Sequence, residues 1–209
     1  MALRDIKPTR SELINLKRKI QLSQRGYKIL KMKRDGLIME FFKILANAKD
    51  SRGALLKKYE RAAEMMALAN TVEGAIGVKS AAFSVKEVPE IHVKSKNIMG
   101  VVVPEIESSK VKKSIIDRGY GVLGTSTVID ETASAFEELV EAIIESAEIE
   151  TTMKRLLDEI EKTKRRVNAL EFKVIPELTE ARDFIKMRLD EMEREELFRM
   201  KKIKARGSS

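Results

Sequence analysis

The sequence predicts an all-α-dominated protein: a long antiparallel two-helix coiled-coil hairpin with a small irregular head in the middle of the chain that contains a β-hairpin. Two observations lead to this prediction. Apolar residues recur at alternating steps of three and four near both ends of the chain, and the middle is rich in glycine and in short β-branched runs. Sustained three–four spacing is the signature of a coiled-coil seam. We therefore predict a single elongated unit with a helix over residues 9–71, a head over residues 72–127 and a second helix over residues 128–206.

The first helix has a defined start, because Thr9 followed by Glu12 forms a capping-box pattern and Pro8 lies just outside it. Its predicted seam residues are Leu13, Leu16, Ile20, Tyr27, Leu30, Leu37, Phe41, Ile44 and Ala48. Three glycines interrupt the pattern, and each weakens a helix by about 1 kcal/mol relative to alanine. We expect them to permit close approach of the second helix; they are Gly26, Gly36 and Gly53.

The head is predicted from a change of composition at about Thr71, after which glycines and prolines become frequent. Short β-branched runs flank Lys96-Asn97, a pair that suits a turn. A β-hairpin is therefore expected around residues 83–105.

The second long helix is expected to start near Ser126, Thr127 or Asp130, all of which are good N-cap residues. Pro176 must kink this helix or break its hydrogen bonding locally, and Gly207 should end it. Its seam is predicted at Met153, Leu156, Ile160, Val167, Leu170 and Val174, and the pattern shifts after Val174 by an inserted four-residue step. With its apex near residue 105, an antiparallel hairpin pairs residues whose numbers sum to roughly 205–210, which places Arg61 and other basic residues beside the acidic stretch at 137–161.

Composition limits the class of protein. The 209 residues are 35% charged and 5% aromatic, with no tryptophan and no cysteine. The absence of cysteine excludes disulfides and zinc sites built on thiolates. The sequence contains no run of about 18 apolar residues, so we expect no membrane-spanning helix, and residues 1–20 do not resemble a signal peptide.

The charge is unevenly placed: residues 1–34 hold eleven Lys and Arg against two acids, and residues 137–161 hold nine acids against two bases. Such asymmetry indicates either polyanion binding or matched faces within one assembly. Antiparallel pairing would cancel much of it within the protein, and few aromatic residues interleave with the basic run, so nucleic acid is the weaker interpretation.

Three local patterns suggest chemistry, and each has a simpler interpretation. Gly119 to Gly124 match GxGxxG, but no strand and no βα alternation surround them, so we interpret them as a loop. His92 is the only histidine and is expected to be exposed on the hairpin. Acidic pairs such as Glu138 and Glu141 lack the histidine that a carboxylate metal site in a bundle usually includes. We predict no catalytic residue, no cofactor and no metal.

Several segments resemble the D subunit of archaeal and vacuolar-type rotary ATPases. At the N-terminal end these are residues 8–19, PTRSELINLKRK, and residues 26–37, GYKILKMKRDGL. At the C-terminal end they are residues 163–171, TKRRVNALE, then Ile175-Pro176, then residues 193–204, EREELFRMKKIK. The resemblance covers both long helices in order, whereas the head carries little of it.

The resemblance implies a non-catalytic rotor axle of a rotary ATP synthase. Its paired helices would stand in a ring of catalytic A and B subunits, bind the small F subunit of the rotor and sit on the socket-like C subunit. The protein would then lie at the cytoplasmic face of the membrane, attached to the membrane only through the complex. Candidate contacts with the catalytic ring are basic residues at two levels: Lys164, Arg165 and Arg166, and then Arg10, Lys17, Arg18, Arg199, Lys201 and Lys202.

An alternative stays open at this point: a free-standing coiled-coil adaptor or a nucleic-acid-binding rod. The residues of the hairpin near 83–105 are a candidate contact with other rotor subunits. The sequence does not indicate the coupling ion or the net direction of the reaction.

Overall fold

The computed structural model describes residues 7–85, 90–108, 111–114, 118–121 and 125–207. The elements in chain order are α1 (Arg10–Val72), α2 (Gly74–Ser84), β1 (Ile91–Ile98), β2 (Val101–Ser108), α3 (Thr127–Ala169), a π-helical segment (Leu170–Val174) and α4 (Ile175–Gly207). The chain divides into two compact units. Unit 1 comprises residues 1–36 and 160–209, and unit 2 comprises Leu37–Glu159.

The predicted seam of α1 is confirmed. The start is capped, since the Glu12 backbone N–H donates to Thr9 Oγ1 at 3.2 Å. Every predicted seam residue is buried or half-buried, and Leu37 is fully enclosed. The glycines behave differently from expectation: a Cβ built on Gly26 or Gly53 meets nothing within 4 Å, so these two do not mark close approach of another helix.

The predicted seam of the second helix is also confirmed, with Leu156 and Val167 almost completely buried. The helix is broken by the π-helical segment, in which the Ile175 N–H donates to the carbonyl oxygen of Leu170, five residues back. Pro176 follows in the first turn of α4, where a missing N–H costs least. The π turn takes up one extra residue, so the four-residue step from Val174 to Leu178 keeps both on the same face.

In unit 1, the start of α1 packs against α4 in an antiparallel sense. Leu16 lies in a core with Ala181 and Ile185, and Arg10 pairs with Glu193. The core is extended by half-buried side chains of both helices. The residues of α4 from 190 onward are exposed.

In unit 2, α1 packs against α3, again in an antiparallel sense. Ala62 lies in a core with Ala135 and Leu139, and the Arg61 guanidinium is 3.7 Å from a carboxylate oxygen of Glu138. The prediction that Arg61 lies beside the acidic stretch is confirmed. The predicted register was wrong by about two to three helical turns, because the predicted pairs have residue numbers that sum to roughly 205–210, whereas those of Arg61 and Glu138 sum to 199.

The head contains a helix that the sequence did not predict. α2 (Gly74–Ser84) begins at Gly74, whose φ of +77° breaks the path of the chain after α1. Its Ala81 packs with Tyr120 and Ile129 in a small core. The alanine-rich, proline-free stretch over these residues was the available signal for a helix.

The β-hairpin is confirmed, but its turn lies three residues later than predicted. β1 and β2 are antiparallel, with Ile98 paired to Val101. Met99 and Gly100 form the turn with φ of +51° and +87°. Asn97 supports it from outside, since its Oδ1 accepts the Gly100 N–H at 2.8 Å. Two positive φ values are required by the two-residue turn that matches strand twist, which explains why Gly100, not Lys96-Asn97, sets the position.

Candidate functional site

The nine basic residues predicted to contact a catalytic ring all lie in unit 1, and all are exposed. Three belong to the first turns of α1, three to the end of α3 and three to the end of α4: Arg10, Lys17, Arg18, Lys164, Arg165, Arg166, Arg199, Lys201 and Lys202. Because Arg10 pairs with Glu193, the start of α1 lies beside the later part of α4. The group at 164–166 lies about 50 Å from Arg199, Lys201 and Lys202 along the helical path, at about 1.5 Å per residue.

Some of these charges are engaged on their own helix. Arg165 lies 3.0 Å from Glu161, and Arg199 lies 3.6 Å from Glu195, each as an i, i+4 pair. Exposed pairs of this kind contribute about 0–1 kcal/mol, so they can be exchanged for contacts with another protein at little cost.

The exposed end of α4 is also apolar on part of its surface. Large apolar side chains stand among the basic ones there: Leu197, Phe198, Met200 and Ile203. No described residue of α1 is opposite them, since α1 begins at Arg10. This end of unit 1 therefore offers both apolar and basic contacts.

Unit 2 contains a buried polar network that the sequence did not predict. Arg118 is 5% exposed, and its guanidinium binds Glu137 in a bidentate manner, with Nε donating to Oε1 at 3.1 Å and Nη2 donating to Oε2 at 3.0 Å. The same group donates to Ser134 Oγ at 2.9 Å and to the Asp130 carbonyl at 3.1 Å. The network fixes the segment around residue 118 on the first turns of α3.

Tyr120 completes this network by donating its hydroxyl to Asp130 Oδ1 at 2.7 Å. Burial raises the pKa of the Tyr120 phenol, and the hydrogen bond to Asp130 raises it further. Burial opposes the charged form of Arg118, but the hydrogen bonds to Glu137 and Tyr120 outweigh burial, so the pKa of Arg118 is raised. Both groups thus keep their ordinary neutral-pH charge, which indicates a structural network.

The segment that carries Arg118 also touches α2. Gly119 has φ of +83°, and a Cβ built on it would lie 2.6 Å from the backbone oxygen of Ser84. The close approach of the two backbones requires glycine here. The first glycine of the GxGxxG pattern therefore serves packing against α2; residues 122–124 of the pattern lie outside the described residues.

The structure also places the histidine, the acidic pair and the N-cap residue that the sequence analysis named. His92 is exposed on β1, as predicted, with Nε2 3.8 Å from a carboxylate oxygen of Glu90. Glu138 and Glu141 form ion pairs with Lys112. Ser126 directly precedes α3 as expected for an N-cap, but its buried hydroxyl has no hydrogen-bond partner, so the predicted side-chain cap is not formed.

The described residues include no cluster of three or more His, Asp or Glu side chains suited to a metal ion. None of the described helices combines the length and the apolarity needed to cross a bilayer.

These observations define a class: a heptad-seamed helical protein with exposed basic and apolar side chains along its helices. The family model that describes the D subunit of ATP synthase matches residues 12–205. The chain belongs to this ATP synthase D-subunit family.

Three relatives illustrate the similarity, and each is named as the D subunit of an A-type ATP synthase. The protein of Methanoregula boonei is 90% identical over 209 residues, which is 100% of both chains. That of Methanosarcina acetivorans is 63% identical over 206 residues, covering 99% of each. That of Haloarcula marismortui is 57% identical over 203 residues, covering 97% of this chain and 88% of the relative.

Proposed function

We propose that this protein is the non-catalytic central rotor stalk of an A-type ATP synthase, transmitting torque between an ion-translocating membrane ring and a catalytic ring. Membership in the D-subunit family supports the assembly. The observation that carries the torque role is the seam, which continues through α1, α3 and α4 with apolar residues at three–four spacing. A supercoiled helix pair resists twisting because each seam side chain is held among four of its partner helix.

The π-helical segment, which keeps the seam residues on one face, supports the same role. Without the extra residue of Leu170–Val174, the four-residue step at Leu178 would rotate the seam of α4 away from its partner. The core of Leu16, Ala181 and Ile185 lies beyond this segment and is well buried. A seam that stays continuous past a break suits a load-carrying stalk.

The exposed basic residues suit a surface that must turn against its neighbours. Exposed Lys and Arg make hydrated contacts worth about 0–1 kcal/mol each, which can be exchanged during rotation. A catalytic site that meets different faces of the rotor in turn is biased differently by each, which is coupling through differential contact. We therefore propose that the nine basic residues of unit 1 contact the A and B subunits.

The remaining partners follow from the same proposal. The F subunit of the rotor and the socket-like C subunit would bind surfaces of unit 2, and the protein would lie at the cytoplasmic face of the membrane through the complex. Nucleic acid is not among the proposed partners, and neither a cofactor nor a metal is required for torque transmission.

The test neutralises Lys164, Arg165 and Arg166 together as glutamines in the assembled ATP synthase. We expect ATP turnover coupled to ion transport to fall about threefold to tenfold, because three contacts of about 0–1 kcal/mol each are lost. The amount of assembled complex should change less. Turnover and subunit stoichiometry are measured on the same preparation.

A matched control removes the same charge elsewhere on unit 1 by changing Lys19, Arg25 and Lys28 to glutamine, since all three are exposed on α1. The control should retain nearly full coupled turnover. Normal turnover and normal assembly in the 164–166 variant would show that these residues are not the contacts. Failure of the unaltered chain to assemble with catalytic subunits would instead overturn the stalk itself and favour an adaptor.

A further inference from the structure

The two edges of the β-hairpin differ in whether their outward backbone groups are bound. One hydrogen bond shows which groups of β2 face outward. The Ile106 N–H donates to Glu148 Oε2 of α3 at 3.1 Å, so the backbone of Ile106 faces away from β1. Backbone direction alternates along a strand, so Val102 and Pro104 face the same way. The Val102 carbonyl accordingly accepts a hydrogen bond from Arg155 Nη1 of α3 at 2.7 Å.

The outer edge of β2 is therefore closed. Side chains from α3 bind the outward carbonyl of Val102 and the outward N–H of Ile106, and Pro104 between them has no N–H to offer. Proline at an outward position is one of the ways in which proteins prevent further strand pairing.

The outer edge of β1 is open. Val93 lies opposite Ile106 and Ser95 lies opposite Pro104, so the N–H and C=O groups of Ile91, Val93 and Ser95 point away from β2. No described residue hydrogen-bonds to them, and the strand is exposed from Ile91 to Asn97. An unpaired row of backbone groups is a template for another strand.

The side chains of β1 define what kind of strand would fit. Ile91 and Val93 are 51% and 66% exposed on one face, where Val102 of β2 is also exposed. Lys94 and Lys96 are exposed on the other face. The strand thus presents an apolar face and a basic face along the same open edge.

The two lysines stay available to an added strand. Each pairs with a glutamate of β2, Lys94 with Glu107 at 2.7 Å and Lys96 with Glu105 at 3.4 Å. Both pairs are exposed, and exposed ion pairs of this kind contribute little to stability. A lysine between two strands can therefore be shared with an acid on its other side at little cost.

We propose that the open edge of β1 binds an extended segment of another ATP synthase subunit, which adds a third strand to the hairpin. The segment would alternate apolar residues, which extend the face of Ile91 and Val93, with acidic residues facing Lys94 and Lys96. Backbone pairing supplies affinity in this mode, and alternate side chains supply specificity. The inference rests on membership in the ATP synthase and is independent of torque transmission.

A second copy of this chain is a poorer occupant. Antiparallel pairing of two β1 strands about Ser95 would place Lys94 of each opposite Lys96 of the other. Like charges directly opposite across a sheet are destabilising. The lysines therefore select an acidic strand over self-association.

The test is amide hydrogen exchange, resolved to single residues, on the isolated chain and on the assembled ATP synthase. In the isolated chain the amides of Val93 and Ser95 should exchange quickly, while those of Lys94 and Lys96, which point to β2, should exchange slowly. In the complex we expect Val93 and Ser95 to slow at least tenfold. Equal rates for these two amides in the chain and the complex would overturn the proposal, even where the complex is fully assembled and active.

A proline variant distinguishes the addition of a third strand from a neighbouring subunit that covers β1 without hydrogen-bonding to it. Ser95→Pro removes an outward N–H and leaves the β1–β2 hydrogen bonds intact, as native Pro104 does opposite it. Ser95→Ala is the matched control. In complexes with Ser95→Pro, Val93 should lose its protection at least tenfold relative to Ser95→Ala, while Lys94 and Lys96 keep theirs.

The remaining outcomes also decide the question. Exclusion of Ser95→Pro from the complex, with an intact hairpin in the isolated chain, would support the proposal. Unchanged protection of Val93 in both variants would overturn it, because a neighbour that merely covers the strand does not need the Ser95 N–H.

Discussion

Replacing Arg118 by methionine is expected to destabilise the head by about 3 kcal/mol, because removal of one partner from a buried ion pair leaves the other charge uncompensated. Glu137 would lose both bonds of a bidentate contact and is only 17% exposed. Asp130, 27% exposed, would lose its nearby cation and keep the hydroxyl of Tyr120. Methionine preserves most of the side-chain volume, so the loss reports the network.

The measurement is urea denaturation of the isolated chain with helix content as the signal, together with amide exchange of α2. Glu137→Gln is added singly and in combination. Because the double variant removes the uncompensated carboxylate, its loss should be smaller than the sum of the two single losses by about 1–3 kcal/mol. Arg118→Lys should be intermediate, since lysine cannot make the bidentate contact. A loss below about 0.5 kcal/mol for Arg118→Met, typical of a surface substitution, would mean that the network does not hold the head.

Gly119→Ala should also destabilise the head, by about 2–4 kcal/mol. A left-handed conformation costs a residue with a Cβ about 1–2 kcal/mol. The new methyl group would in addition lie 2.6 Å from the backbone oxygen of Ser84, so α2 or the loop must move. Faster amide exchange in α2 should accompany the loss of stability.

The control substitution for Gly119→Ala is expected to raise the stability of the protein rather than lower it. Gly26 lies inside α1, and a Cβ there meets nothing within 4 Å. Gly26→Ala should therefore stabilise α1 by up to about 1 kcal/mol, the difference in helix propensity. A stable Gly119→Ala protein with unchanged α2 exchange would contradict the packing described for the head.

The long helices could be predicted from the sequence because their signal is local and repeated. Each seam residue of α1, from Leu13 to Ala48, adds to the same period, and the polar residues at two seam positions, Ser23 and Arg34, do not change it. The break near Pro176 was predictable for the same reason, since proline acts on its own helix. The register was not predictable, because it depends on how many residues the head takes up.

The head is where sequence reasoning failed, for a physical reason. The position of the hairpin turn depends on two adjacent positive φ values, and Met99 gives no sign that it adopts one. α2 is an apolar helix of 11 residues without the charged face that marks a longer amphipathic one. Its place depends on Gly119 and Tyr120, which are distant in sequence.

Some features of the candidate site could be predicted from the sequence, and others could not. The sequence predicted the exposure of Lys164 to Arg166, because these three charged residues fall outside the seam positions. The burial of Arg118 did not follow from any period. The one available signal was its isolation, since it is the only arginine between Arg61 and Arg155. The open edge of β1 required the hydrogen-bond pattern of the folded hairpin.

The most direct test of the rotor stalk is observation of single complexes with the catalytic ring fixed to a surface. The chain has no cysteine, so Lys79→Cys on exposed α2 gives it a unique attachment point for a bead. Added ATP should produce stepwise rotation of the bead in one direction, and the 164–166 glutamine variant should turn more slowly. Complexes that hydrolyse ATP while the bead only fluctuates about one angle would contradict the proposal that this protein carries the torque.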